Sequence, residues 1–301
     1  MSLLVTGSIG IDTVTTPFGR SENCIGGSAV YFSMAASFFS PVRLVGVIGS
    51  DCPFRLSEVF AGRNVDLEGL EVRSLSKTFR WKGSYHGAMT NAITDSVELN
   101  VLAEKPPIVP QAFRDSKYVF LANTAPALQI ELLSQVGRPS FVAADTMNCW
   151  IEGRADDLKQ LLRKIDCLVV NAEEARALAS EMNLIKASEK MLTMGPKIIV
   201  IKKGESGSLL CSRTGEKFSL PAYPASEVKD PTGAGDSFAG AMMGRIAELG
   251  KSDFATLKQA IAFGTVVSSF TISEFSLNGL IAVKREQIDG RVDELRKLTS
   301  F

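Results

Sequence analysis

The stretch Asp230-Pro231-Thr232-Gly233-Ala234-Gly235-Asp236 sets a glycine-rich turn and a carboxylate ahead of an apolar-rich helical run through Ala239, Met242, Met243, Ile246, Ala247 and Leu249, which stops at Gly250. The turn therefore opens a helix N-terminus, where free N–H groups and roughly half a positive charge from aligned peptide dipoles favour an anion. That combination suits phosphoryl transfer. Amides at Gly233, Ala234 and Gly235 can face a phosphate whose charge is moving, and Asp236 beside them can take a proton from an attacking hydroxyl. A carboxylate in a first helical turn can also do no more than favour the dipole.

Other polar clusters follow apolar runs. Asp12 comes just after the first of these, where open α/β sheets bind ligands, although a lone acid there is more often a turn cap. Gly26-Gly27-Ser28 reads by itself as a tight turn capped by Ser28. Asn171 and Glu174 have capping-box spacing. Lys202-Lys203-Gly204-Glu205-Ser206-Gly207 reads as the turn of a hairpin between Ile198–Ile201 and Ser208–Cys211. Asp145-Thr146-Met147-Asn148 and Asn123 close two more runs, and a strand-end Asn is commonly a turn former.

Several chemistries are disfavoured. Gly7-Ser8-Ile9-Gly10 lacks the dinucleotide-binding glycine spacing, and Gly244 to Ser252 is one residue too long for a P-loop. The chain's single histidine, His86, gives little support to a Ser-His-Asp triad. Thirty-three basic residues balance thirty-three acidic ones, so no net field steers nucleic acid or an anionic membrane. Cys24, Cys52, Cys149, Cys167 and Cys211 are odd in number and scattered, which suggests neither a disulfide framework nor a zinc site and fits a reducing compartment. The N-terminus enters Leu3-Leu4-Val5 without a basic, apolar leader, and no uncharged apolar run reaches about 18 residues, so the expectation is a cytoplasmic protein.

With 301 residues and 45% hydrophobic content, the chain can build one large domain spanning 1–301. Runs at 3–6, 43–48, 118–122, 141–144, 167–170 and 198–201 read as buried parallel strands, alternating with helical patterns at 29–39, 127–136, 155–164 and 173–180. The alternation predicts an α/β fold with a doubly wound, mostly parallel sheet flanked by helices. Residues 78–85 and 96–102 alternate instead, predicting an antiparallel hairpin that forms a small flap over one end of the sheet.

Asp-x-Thr-Gly-Ala-Gly-Asp, with Gly26-Gly27 and the Asn171-x-x-Glu174 spacing, resembles the PfkB, or ribokinase-like, carbohydrate and nucleoside kinases, from about Val5 to the late helices. The resemblance implies ATP as phosphoryl donor, Asp236 as base and Gly233, Ala234 and Gly235 as anion hole. It further implies a β lid from segments 12–25 and 78–102, covering its own site or pairing with a second subunit as a homodimer. Asp12, Gly26, Gly27 and Asn123 would meet the acceptor; Asn171, Lys202, Gly204, Gly207, Thr232 and Gly264 would meet the nucleotide, with Lys203 as another phosphate candidate. Gly264 could equally serve close helix packing. Glu174 would hold Mg2+ through water, and Asp230 a monovalent cation such as K+.

Tyr31 stands where sugar-specific members commonly place an Asn. Together with Phe79, Trp81 and Tyr85 in the flap, it favours a nucleoside acceptor over a simple sugar or sugar phosphate, since aromatic faces stack on bases. Alternating aromatics are also ordinary strand packing. A nucleotide- or sugar-binding regulator that kept the pocket without turnover is the non-enzyme alternative.

Overall fold

The computed structural model describes residues 2–300. Its strands, in chain order, are Leu3–Thr6 (β1), Gly10–Thr16 (β2), Gly19–Gly26 (β3), Val42–Gly49 (β4), Val65–Arg73 (β5), Phe79–Ser84 (β6) and Ile93–Glu98 (β7), followed by Tyr118–Leu121 (β8), Phe141–Asp145 (β9), Cys167–Asn171 (β10), Ile198–Lys202 (β11), Ser208–Ser212 (β12) and Lys217–Leu220 (β13). A nine-stranded sheet runs β13-β12-β11-β10-β9-β8-β1-β4-β5, and a separate four-stranded sheet runs β3-β2-β6-β7.

From β5 across to β11 the large sheet is parallel, and β12 and β13 add an antiparallel edge. Its central strands β1, β8, β9 and β10 are apolar along their length because both faces are covered, while the edge strands β5 and β13 are partly exposed. Leu3 and Val5 of β1 enter one core with the helices Ser28–Ala36, Ala234–Leu249 and Phe254–Thr271, while Leu4 between them enters a second core with Ala155–Leu162 and Leu184–Thr193. Alternate residues of one strand thus hold the two helical layers together.

Strand order reverses beside β1: the chain first builds outward through β4 and β5, then returns to build β8 to β13 on the other side. Such a reversal leaves a crevice beyond the carboxyl ends of the parallel strands. The small sheet stands at that end, because β2 follows β1 after the link 7–9. In it β2 pairs antiparallel with β3 and parallel with β6, and β6 pairs antiparallel with β7. This is the β lid.

One lid boundary differs from the sequence expectation. The second hairpin strand is Ile93–Glu98, and the expected continuation to Leu102 is a 3-10 turn over Asn100–Ala103. Asn100 sits at φ 46°, a left-handed conformation that ends a strand, and its side-chain amide donates to the Thr78 carbonyl at 2.9 Å. Every residue of Ile93–Glu98 is exposed, so no buried face marked the strand's limits in sequence.

Helix Ala234–Leu249 packs on Ser28–Ala36 through Gly240, where an added Cβ would lie 2.3 Å from the Phe32 carbonyl oxygen. Gly240→Ala should therefore lower unfolding stability by about 1–2 kcal/mol, overpacking outweighing the helix-propensity gain. Urea denaturation checks this; an unchanged midpoint would mean that the helices part without cost.

Candidate active site

Parallel register delivers the polar residues to one edge. Asp145, Asn171 and Lys202 are the last residues of β9, β10 and β11, with Asn171 paired to Lys202 and Asp145 paired to Val169 two residues before Asn171. Asn171 then caps the helix Ala172–Ala179: its Oδ1 accepts from the Glu174 amide at 2.8 Å, and Glu174 Oε2 accepts from the Asn171 amide at 2.7 Å. The capping box turns the Glu174 carboxylate back to the sheet edge instead of releasing it to solvent.

Facing that edge is the turn before Ala234–Leu249. Gly233 adopts φ 74°, and a Cβ there would lie 2.4 Å from the Tyr31 ring. The Ala234 amide donates to the Pro231 carbonyl at 3.2 Å and so belongs to the turn itself, a correction to the expectation that all three amides face a ligand. Among the described residues, the Gly233 and Gly235 amides donate to no backbone carbonyl. Lys202 Nζ lies 2.5 Å from where a Gly235 Cβ would be, so strand end and helix start meet at this ammonium. Asp236 follows in the first helical turn.

Asp12 approaches from the lid side. Its carboxylate packs against Gly26, where a Cβ would lie 1.9 Å from Oδ2. Gly27, at φ 100°, passes close to the Ser8 carbonyl; Ser8 Oγ accepts from the Ser28 amide at 2.9 Å and Ser28 Oγ from the Ser8 amide at 3.1 Å. The Gly-Gly pair therefore lets two chain segments touch and leaves room for one buried acid. Asn123 accepts from Trp150 Nε1 at 2.9 Å.

Two of the aromatic residues, Tyr31 and Tyr85, are buried in packing, while Phe79 and Trp81 are half-buried in the lid. Tyr31 is buried beneath Gly233, Phe79 packs against Gly10, the Trp81 ring lies on Gly83, and Tyr85 is buried in a small lid core. Tyr31 thus supports the turn and does not offer its face to an acceptor. Gly264 is also corrected: a Cβ there would lie 2.8 Å from the Phe238 carbonyl oxygen, so it serves helix packing, the alternative weighed for it.

A cleft of about 680 Å³ runs beside the turn, lined by Asn171, Lys202, Gly204, Gly207, Gly235 and Thr265 among others. Gly207 is required here, since its φ is 82° and a Cβ would lie 2.0 Å from the Leu220 carbonyl oxygen. Thr232 and Asp230 brace the turn: Asp230 Oδ1 accepts from the Thr232 amide at 2.9 Å and Oδ2 from the Ser276 amide at 3.3 Å.

Burial dominates the electrostatics. Loss of hydration pushes the Asp236 carboxyl up to about 6, against the pull of Lys202 and of its own backbone amide. Asp145 is pushed well above the usual carboxylate range by burial and then by the Asp236 charge, with Lys202 opposing. Glu174 rises for the same first reason, restrained by Lys202 and the Asn171 amide. Asp12 rises to about 7, through burial that outweighs the Gly27 amide, with Asp236 and Asp230 adding to it. The sequence placed Asp145 at the same sheet edge as Asp12 and Asn171, and the parallel register sets it beside β10 there.

A strand-edge crevice, a helix-start glycine turn and a buried acid beside it define a phosphotransferase. The chain belongs to the pfkB family carbohydrate kinases, whose family model matches residues 34–281. It is an ATP-dependent kinase with an alcohol group as acceptor. A cytidine kinase of Thermococcus kodakarensis is 28% identical over 249 residues, covering 81% of this chain and 87% of that protein. A ribokinase of Staphylococcus aureus is 30% identical over 132 residues, covering 42% of this chain and 41% of its own. Burkholderia thailandensis nucleoside kinase in complex with inosine has a TM-score of 0.77 at 20% identity, covering 97% of each chain. Ribokinase from Cryptococcus neoformans var. grubii serotype A in complex with ADP gives 0.79 at 21%, covering 96% of this chain and 99% of that one. At these identities the two structures show the ribokinase-like fold.

The buried Asp12 yields a pH-dependent stability prediction. A carboxyl raised to about 7 on folding opposes the native state while charged, and that opposition fades as pH falls through 7 toward the unfolded value. Asp12→Asn should therefore melt higher than the native protein at pH 8, with the gap narrowing by pH 6. A lower melting temperature at pH 8 would show that the charge is compensated in the fold.

Proposed function

We propose that this kinase transfers the γ-phosphoryl group of ATP to a primary hydroxyl of a nucleoside, with Asp236 as the general base. The observation that carries the chemistry is the position of Asp236 in the first helical turn, directly after the unpaired Gly235 amide and within the field of Lys202. Asp236 takes the hydroxyl proton as the acceptor oxygen attacks the γ-phosphorus, the bond to the bridging β-phosphate oxygen breaks and ADP leaves. The Gly233 and Gly235 amides, the helix dipole and the Lys202 ammonium then stabilise charge on the transferring group. Asp12, acceptor-only when ionised, would take hydrogen bonds from paired hydroxyls of the acceptor and hold it over Asp236.

The nucleotide would lie along the cleft between Asn171, Gly204, Gly207 and the turn. Asp145 has a buried carboxylate oxygen without a hydrogen-bond partner, and Glu174 stands nearby, so this donor set fits Mg2+ held through water. When bound, the ion supplies charge neutralisation between the phosphate oxygens. A monovalent cation beside Asp230 would share a carboxylate that already accepts two amides, and the steps above need none.

The nucleoside preference is supported by the cytidine kinase relative, which spans more of the chain than the ribokinase does. It does not draw on Tyr31, whose ring is occupied. A sugar acceptor is the second reading, favoured by the ribokinase relative. A reducing, cytoplasmic setting agrees with the free state of Cys24, Cys52, Cys149, Cys167 and Cys211. No helix among the described residues is long and apolar enough to cross a membrane.

ADP release with Mg-ATP against nucleosides, sugars and sugar phosphates tests acceptor class; turnover confined to sugars would overturn the nucleoside reading. In the same assay Asp236→Asn should lose about 10²–10⁴-fold in kcat while still binding ATP. The native kcat/KM should fall on the acid side from about 7 through about 6, because Asp12 and Asp236 must both be ionised and their carboxyls are raised to those values. A flat profile from pH 8 to 5 would remove Asp236 from the role.

A further inference from the structure

The lid touches the phosphate-binding turn through a contact that the chemistry above leaves unused. Thr232 Oγ1 donates to Tyr85 Oη at 3.3 Å, joining the residue after β6 to the residue before Gly233. Tyr85 is buried with Val14 and Met89, and Trp81 and Val228 pack against this small cluster. Its amide donates to the Thr15 carbonyl at 2.8 Å, so the ring is fixed to β2, the strand that also carries Asp12. Beyond it, Gly87 at φ 56° and Met89 at φ 52° turn the chain back, and Ala88, Met89 and Thr90 reach the rim of the cleft that Gly204 and Gly235 line. A left-handed methionine is strained, and here it is held by the cluster it enters.

The other side of the turn is tied to the lid as well. Ser276 Oγ donates to the Ile25 carbonyl at 2.7 Å, and the Ser276 amide donates to Asp230, which in turn holds Thr232. Ile25 precedes the Gly26-Gly27 pair that frames Asp12. The turn that must present amides to a phosphate is thus gripped by both lid segments, and a glycine-rich turn needs such a grip because its own backbone has wide freedom.

We propose that Tyr85 is a positioning residue of this kinase: with the lid closed its hydroxyl holds Thr232, and through it the Gly233 and Gly235 amides, in place for transfer. This rests on the kinase reading of the same site. Tyr85 acts through Thr232 and needs no contact with either reactant. Burial pushes its phenol up to about 12, so it stays protonated at working pH.

The test pairs kinetics with amide hydrogen exchange on the full chain, using Mg-ATP and the acceptor that gives native turnover. Tyr85→Phe keeps the ring and removes the hydroxyl; it should lower kcat by roughly three- to tenfold, the rate equivalent of one neutral hydrogen bond, with KM for ATP unchanged within about twofold. Thr232→Val should match it, Thr232→Ser should recover most of the loss, and the Tyr85→Phe/Thr232→Val double variant should be no slower than either single change. Without ligands, the peptide covering Thr232 to Ser237 should exchange at least about threefold faster in Tyr85→Phe. Unchanged exchange, native kcat in Tyr85→Phe, or losses that multiply in the double variant would overturn the proposal. A native protein that turns over no acceptor, while Tyr85→Phe still loosens the turn, would overturn the kinase reading and the catalytic role of the latch with it.

Discussion

Lys202 sits where the carboxylates of Asp236, Asp145 and Glu174 all feel its charge, and a single ammonium cannot balance them. Each acid is held above its ordinary range first by burial, so this cluster carries an electrostatic cost that the surrounding fold must bear. The nine-stranded sheet bears it by rigidity. Lys202, Asn171 and Asp145 end neighbouring strands whose apolar residues are locked between two helical layers, so the polar ends cannot separate to relax their repulsion. A site poised in this way gains most from a ligand that brings its own cation and anion together, as a metal–nucleotide does. Strain kept at a functional centre and supported elsewhere is a recurrent arrangement.

Missing β-carbons decide the rest of the geometry. At Gly26 the absent methyl is the space in which the Asp12 carboxylate lies; at Gly233 it is the space taken by the Tyr31 ring; at Gly235 it is the approach of Lys202 Nζ. The last two contacts link two separate elements, the first long helix and the β11 end, to the same short turn, while the first joins two strands of the lid around Asp12. Tyr31 thereby gains a reason to be aromatic and buried without meeting a substrate. Its flat face is what a backbone with no side chain can rest upon.

How far the site was legible follows from what sets each part. The turn around Asp236 is local: glycine freedom, an apolar helical run and a carboxylate lie within a few residues, and sequence shows them together. Strands β1, β8, β9, β10 and β11 were visible because both their faces are buried, leaving continuous apolar runs. Asp145 could be placed at the edge shared with Asp12 and Asn171 because it ends a buried run, but its burial beside Lys202 and Asp236 depends on the register of β9, β10 and β11. Gly264 and Tyr31 misled for a related reason: a small or aromatic residue near a motif fits packing as readily as binding, and the choice depends on which neighbour arrives. The lid strand Ile93–Glu98 is exposed throughout, so its boundary left no periodic trace.

The two halves of the reaction therefore rest on different kinds of structure. Donor-side groups are backbone amides and strand-terminal side chains of the main sheet, fixed before any ligand arrives. Asp12, proposed to hold the acceptor, is carried by the lid, yet β2 emerges from β1 after the 7–9 link, and β1 lies within the large sheet. Asp12 is carried on the lid while Asp236 belongs to the helix Ala234–Leu249, so the Asp12-to-Asp236 relation depends on lid placement, which the hydrogen bonds at Thr232 and Ser276 fix. Acceptor choice can change by altering lid residues without disturbing the phosphoryl-transfer turn, which explains physically why the sequence specified the chemistry more sharply than the molecule that receives the phosphate.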